Sequence, residues 1–269
     1  MKDAPHRKAW RLNLRKESDS VRRALSSLDK KTVVVLLFCA VAVIVQMKLG
    51  DRSYFRTEIA PRLDLQSVGL ASWSWWFAVQ GILGFLIPVI ILRYGFKQTS
   101  AEMGLGLGDW RFAGIVALVY VPVVVIGTWI LSDNVEFQSN YPHYGPAASD
   151  WSVFLIYEAV FVFYWIGWEY LWRGFVLFGT AQVFGLYAII IQTVPFAILH
   201  YEKPFPEALL SIVGGLALGA LVWRTRSFWI AVPIHSLQML LIDLFCSLRI
   251  RSGVSGVSPR ALIDLFDKL

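Results

Sequence analysis

Six ionisable side chains lie within or at the ends of long apolar runs, where each costs about 3 kcal/mol unless it is paired or solvated. They are Glu158, Glu169, Arg173, His200, His235 and Asp243. Two histidines and a glutamate from separate runs can bind a metal with water, or the glutamate can act as a general base while a histidine stabilises an oxyanion. Transporters also keep such residues in membrane cavities. The set therefore predicts an active site or an ion site within the membrane.

The spacing of the acidic and basic residues in one run predicts an ion pair. Glu169 and Arg173 are four residues apart, so on a helix they share a face and can pair. A purely structural pair and a functional pair both fit this spacing. Glu158 precedes Glu169 by eleven residues, which places it on the same face but about 16 Å away along the axis. The two carboxylates can line one cavity, but they are not expected to touch.

The two histidines come from different runs. His200 ends one run and precedes a short charged turn that also contains Glu207. His235 lies in the last run, with Gln238 close to one helical turn further on. These neighbours are candidate supporting groups for a site built around the histidines.

The composition excludes a soluble single domain and an intrinsically disordered chain. Of the 269 residues, 57% are hydrophobic and 16% are charged, against about a quarter charged in soluble domains. A helix needs about 20 apolar residues to cross a bilayer. Runs that approach this length lie near residues 32–50, 72–92, 112–131, 151–178, 184–199, 208–223 and 228–248. We expect an all-α polytopic membrane protein with seven or eight transmembrane helices that enclose a polar intramembrane site.

Charge is concentrated at the N-terminus. Residues 1–31 hold ten basic and four acidic side chains, which accounts for the whole net charge of +6. Such a tail favours anionic lipid as a partner and gives no reason to expect nucleic acid. Three further segments follow it: N-terminal transmembrane helices and loops (32–150), helices that carry the candidate site (151–248), and a C-terminal linker with a short interfacial helix (249–269).

The positive-inside rule places the N-terminus in the cytoplasm. The loop 132–150 then lies outside; it contains no Lys or Arg, and its His143 is expected to be a solvated surface residue. Four basic residues after position 248 do not fit this topology, and an eighth crossing or a re-entrant segment would explain them. Glu169 and Arg173 near the inner end of the fourth run favour a cavity that opens to the cytoplasm.

Three short motifs follow one another in the candidate site region. They contain Glu169, Arg173 and Gly174 in WEYLWRG, Phe196 and His200 in FAILH, and His235 in PIHSLQ. In order and spacing, residues 165–243 resemble the CAAX prenyl protease and bacteriocin-processing (CPBP) family of intramembrane proteases. The resemblance implies a membrane-embedded endopeptidase with catalytic groups on these helices.

Two positions depart from the family pattern. The first motif of the family begins with two glutamates, the first of which activates water, but here that position is Trp168 and only the second is a glutamate. The polar residue expected four positions after the last histidine is Met239. The leading candidate for the base is therefore Glu169, the second glutamate of the motif. Other candidates for these two roles are Glu158 and Glu207 for the base and Gln238 for the polar group.

The leading interpretation is an endopeptidase of the CAAX/CPBP type that hydrolyses a peptide bond in a membrane-associated peptide or protein. In this interpretation Glu169 activates water, Arg173 orients Glu169, and His200 and His235 polarise the scissile carbonyl or hold the water. Two histidines and a carboxylate would suffice for zinc with one open position. No H-E-x-x-H pair occurs, so the choice between a metal mechanism and a glutamate mechanism stays open and no cofactor is assigned.

The two departures also motivate an alternative. A catalytically inactive membrane scaffold, or an immunity-type binding protein on the same fold, would need neither a glutamate at Trp168 nor a polar group at Met239. A transporter would be expected to show an inverted repeat or paired broken helices, and the sequence shows neither.

Overall fold

The computed structural model describes residues 14–65 and 68–268, so the first part of the basic tail, residues 1–13, lies outside the described residues. The described chain is all-helical and contains no strand, which confirms the expected fold class. We label the long helices α1 (Leu14–Ser26), α2 (Lys30–Lys48), α3 (Gly69–Gly95), α4 (Trp110–Leu131), α5 (Trp151–Phe184), α6 (Tyr187–Ile198), α7 (Phe205–Thr225), α8 (Phe228–Ser252) and α9 (Pro259–Asp267).

Six of these helices, α2 to α5, α7 and α8, are long and apolar enough to cross a membrane, and α6 is a shorter apolar helix. Several of them begin at an aspartate that caps the first turn. Asp29 accepts from the backbone N–H of Thr32 at 2.8 Å, and Asp150 accepts from Ser152 and Val153 at 2.7 and 3.1 Å. These caps satisfy N–H groups that a helix leaves unpaired at its start. The chain is a multi-pass integral membrane protein.

The basic residues after position 248 need no eighth crossing. The Arg249 guanidinium is buried and binds the Asp133 carboxylate at 3.0 Å and the Ser132 hydroxyl at 2.8 Å. Arg251 donates to the Ala148 carbonyl oxygen at 2.6 Å. Both arginines are therefore anchored to the connection between α4 and α5. In the described chain the segment after α8 contains only α9, whose nine residues are too short to span a bilayer.

Helix α5 lies at the centre of the bundle and changes its winding at the site. It continues past Glu169 as a π-helical turn, Tyr170–Val176, whose residues are all buried. Such turns change the direction in which nearby side chains point and recur at functional sites. Two residues before Glu169, the Gly167 backbone of α5 touches α3: a Cβ on Gly84 of α3 would lie 2.2 Å from the Gly167 carbonyl oxygen. Only glycine permits this close approach, which fixes α3 against α5.

Helix α6 ends just before His200 and is held against α7. The Gln192 amide of α6 donates to the Gly215 carbonyl oxygen of α7 at 2.9 Å, and a Cβ on Gly219 would lie 2.7 Å from that same amide nitrogen. The small residues of α7 thus let α6 approach closely and set the position of the histidine at its end.

Candidate active site

The helices enclose a cavity of about 340 Å³. Its walls are mainly aromatic and include Trp73, Trp76, Phe77, Tyr164, Trp165 and Trp168. Both predicted histidines, His200 and His235, line it. A cavity of this size, apolar with a few convergent polar groups, is the usual form of a binding or catalytic site.

Glu169 lies behind the cavity wall and holds His235. The Glu169 carboxylate is fully buried, and its Oε1 binds His235 Nδ1 at 2.6 Å and Arg173 Nη1 at 3.0 Å. The ion pair expected from the spacing of Glu169 and Arg173 is therefore present, and the structure adds a partner from α8. Glu169 is not among the residues that line the cavity, whereas His235 is.

The hydrogen bonds of the two histidines fix which ring nitrogen is free. Nδ1 of His235 faces a carboxylate and Nδ1 of His200 lies 2.7 Å from the Phe196 carbonyl oxygen, so each Nδ1 carries the proton and donates it. Burial lowers the pKa of His200 to about 4, and the ring is neutral at physiological pH. In the neutral form each histidine therefore keeps an unprotonated Nε2 as a hydrogen-bond acceptor.

Phe196, the aromatic residue of the second motif, packs among the polar groups of the site. Its ring centroid lies 4.6 Å from that of His200 and 6.1 Å from that of His235. The Arg173 guanidinium lies over the same ring at 4.0 Å from the centroid, a cation–π contact that supports a buried charge. One phenyl ring thus sets the spacing of both histidines and the arginine.

A second polar cluster borders the cavity, and only Glu207 of it was expected from the sequence to act at the site. The Tyr141 hydroxyl donates to the Glu207 carboxylate at 2.6 Å. The Lys203 ammonium donates to the Tyr141 hydroxyl at 3.0 Å and to His143 Nε2 at 2.7 Å. The expectation that His143 is a solvated surface residue is wrong, because the 132–150 connection folds inward and His143 lines the cavity.

Burial shifts the pKa values of this second cluster. It lowers the pKa of Lys203, and together with the neighbouring Lys203 charge it lowers the pKa of His143 well below its usual range. Burial and the Glu207 carboxylate raise the pKa of Tyr141. The cluster sits in the connections that precede α5 and α7, which share one end of the bundle with Asp51 and Arg52. The cluster is thus at the end of the bundle opposite the turn between α7 and α8.

The remaining sequence candidates do not reach the cavity. The Gln238 amide oxygen accepts from the Tyr120 hydroxyl at 3.1 Å, towards α4. Glu158 lies next to Asp243 of α8, and neither residue lines the cavity. Met239 does line it, so an apolar side chain occupies the position where the family pattern expects a polar one.

The residues present do not form a three-ligand metal site. Among the residues that the structure describes, no group of three or more His, Cys, Asp or Glu side chains is arranged to hold a metal ion. His200 and His235 supply two nitrogen ligands, but the Glu169 oxygen nearest to them is already bound to His235 and Arg173. We therefore derive no step through a metal.

Comparison with known families places this site in context. Residues 150–241 match the family model described as "Type II CAAX prenyl endopeptidase Rce1-like", which confirms the resemblance to CAAX proteases over the segment that carries Glu169, His200 and His235. No curated protein and no solved structure matches the chain.

Proposed function

We propose that this protein is an intramembrane endopeptidase of the CAAX type that hydrolyses a peptide bond in a membrane-associated peptide or protein. The family match supports this activity at the level of the family. The observation that carries the proposal is the 2.6 Å bond between Glu169 and His235, whose ring lines an aromatic cavity together with His200. A histidine held by a buried carboxylate is a recurrent arrangement of a general base.

In the proposed mechanism a water molecule lies between the free Nε2 atoms of His235 and His200. His235 accepts a proton from this water as the oxygen attacks the scissile carbonyl carbon. Glu169 stabilises the resulting imidazolium through its bond to Nδ1, and His235 then gives the proton to the leaving amine. Glu169 thus activates water through His235 and not by direct contact. Arg173 binds Glu169 Oε1 and holds the carboxylate in position.

The N-terminal helix supports the proposed lipid contact. Helix α1 presents Leu14, Val21 and Leu25 on one exposed side, and its basic residues include Arg22 and Arg23. Amphipathic basic helices of this kind lie on anionic membrane surfaces. We take the N-terminus as cytoplasmic. The polar cluster of Tyr141, Lys203 and Glu207 then lies on the opposite side of the membrane.

The proposal is tested by cleavage of a library of membrane-embedded peptides with the protein in liposomes. We expect wild type to cleave, and Glu169→Gln, His200→Ala and His235→Ala to lose at least 100-fold in kcat/KM, about 2.7 kcal/mol. Gln238→Leu is the matched control, since its side chain lies on the same helix as His235 but faces Tyr120. Each reaction is run with and without a chelator.

Three outcomes would overturn parts of the proposal. Binding of peptides without any cleavage would favour the inactive scaffold. Normal cleavage by Glu169→Gln would remove Glu169 from the mechanism and favour Glu207, a carboxylate that lines the cavity. Loss of wild-type activity with chelator, restored by added zinc, would require a metal in place of the unassisted histidine base.

A further inference from the structure

Amide hydrolysis needs a hydrogen-bond donor as well as a base. Negative charge develops on the carbonyl oxygen during attack, and a preorganised donor in a dry site contributes a large part of the rate enhancement. Neither histidine supplies this donor in its neutral form, because both N–H groups are turned away from the cavity, towards the Phe196 carbonyl and the Glu169 carboxylate. Met239 has no donor at the position where the family pattern has a polar group.

Trp168, a residue of the cavity wall, carries an unused and buried donor. Its side chain lines the cavity, the residue is 8% exposed, and among the described residues its indole Nε1 has no hydrogen-bond partner. An indole N–H only donates. A buried donor without a partner costs about 1–3 kcal/mol, so the folded protein retains an unfavourable group that a ligand oxygen would satisfy.

The packing around Trp168 holds its ring in one place. The ring stacks on Tyr164 with centroids 5.6 Å apart and contacts Phe196 at 5.7 Å and His200 at 6.0 Å. Trp172 closes the other side, with its ring edge-on at 5.6 Å. A donor this constrained loses little entropy on binding and needs little reorganisation during the reaction.

We propose that the Trp168 indole N–H donates a hydrogen bond to the scissile carbonyl oxygen of the substrate and stabilises the oxyanion that forms there. This inference rests on the proposed peptidase function. Trp168, which stands where the family has its first glutamate, thereby has a catalytic role. The His235–Glu169 pair acts as the base, and Trp168 donates the hydrogen bond to the oxyanion. The substrate class that fits is a peptide whose scissile amide reaches between Trp168 and His200.

Trp168→Phe tests this directly, because it removes the N–H and keeps an aromatic ring. Trp172→Phe is the matched control: its Nε1 is also buried without a partner among the described residues, but Trp172 does not line the cavity. We expect Trp168→Phe to lower kcat by about 10²–10³-fold, as for loss of one oxyanion donor, with KM changed less than about threefold. Trp172→Phe should keep wild-type kcat.

Two further measurements separate catalysis from structure. A substrate-derived peptide aldehyde, whose hydrate resembles the tetrahedral intermediate, should bind Trp168→Phe at least tenfold more weakly than wild type, whereas the corresponding peptide alcohol should bind both equally. The melting temperature of Trp168→Phe should be unchanged or higher, because an unsatisfied buried donor is removed.

The outcomes are distinguishable. If wild type cleaves peptides and Trp168→Phe cleaves them equally well, only this inference fails. A rise in KM with unchanged kcat would assign Trp168 to ground-state binding and overturn the oxyanion role. If Gln80→Met loses the kcat instead, the buried amide of Gln80, which also lines the cavity without a partner for its Nε2, is the donor. If wild type cleaves nothing in the library, the proposed function fails and this inference fails with it.

Discussion

The buried Glu169–Arg173 pair should show strong energetic coupling. Both side chains are fully buried and their charged atoms lie 3.0 Å apart, which corresponds to about 5 kcal/mol at an effective dielectric of about 20. Removing one member of such a pair costs about 3–5 kcal/mol, because the other charge stays buried. Arg173 has few other partners: it lies over the Phe196 ring, and its Nε and Nη2 have none among the described residues.

Glu169→Gln should therefore destabilise the protein by about 3–5 kcal/mol. Arg173→Met should cost less, since the Glu169 carboxylate keeps its hydrogen bond from His235. The double variant should cost less than the sum of the singles, with a coupling energy of about 2–3 kcal/mol. It should recover stability without recovering cleavage, because the acceptor for a positively charged His235 is still absent. This combination separates a structural ion pair from a functional one.

The assay is reversible unfolding in mixed micelles, with cleavage measured on the same samples. The matched control is the exposed Glu58–Arg62 pair, which has the same spacing of four residues. Its coupling should stay below about 0.5 kcal/mol, the range of surface pairs. A coupling below about 0.5 kcal/mol for Glu169–Arg173, or a double variant that cleaves like wild type, would refute the reasoning.

Three further predictions concern the cavity, acid stability and helix packing. Trp168→Glu restores the two-glutamate motif but removes the indole donor, so kcat/KM should fall at least tenfold, as for Trp168→Phe; a value at or above that of wild type would show that a carboxylate at the cavity is the better base and would overturn the donor role of Trp168. In the folded protein the pKa of His200 is about 4, against 6.5 ordinarily, so the unfolded state binds a proton first as the pH falls. The free energy of unfolding should therefore decrease by up to about 3 kcal/mol between about pH 6.5 and pH 4. In His200→Gln, the melting temperature should change less with pH over this range. Gly84→Ala would place a methyl group 2.2 Å from the Gly167 carbonyl oxygen and should cost about 1–3 kcal/mol or more in unfolding free energy, whereas Gly127→Ala, which meets no atom within 4 Å, should be neutral or stabilising by up to about 1 kcal/mol.

Features within one helix could be predicted from the sequence. Hydropathy located the apolar runs because each of them must supply a nearly continuous apolar surface to the lipid. The pairing of Glu169 with Arg173 followed from helical spacing alone. The π-helical turn after Glu169 could not be predicted, since no local pattern marks it and the packing of the surrounding helices stabilises it.

Features that join distant segments were missed or misjudged. The bond between Glu169 and His235 links residues 66 positions apart, and the sequence grouped the two without showing that they touch. His143 and Tyr141 lie in a polar connection whose composition is that of a surface loop, and only the folded bundle turns them towards Lys203. The positive-inside rule weighs only the number of basic residues near the ends of a span. It therefore misjudged Arg249 and Arg251, which bind residues of the connection between α4 and α5.

The relation between Trp168 and Glu169 explains how two departures from the family pattern fit one site. Adjacent residues on a helix point about 100° apart, and of these two only Trp168 lines the cavity. Here the indole faces it and the carboxylate points behind it, where α8 brings His235 within 2.6 Å. In the proposed mechanism the group that meets water is then an imidazole in place of a carboxylate. In the same proposal Trp168 supplies the donor, so the mechanism needs no polar group at Met239, which also lines the cavity.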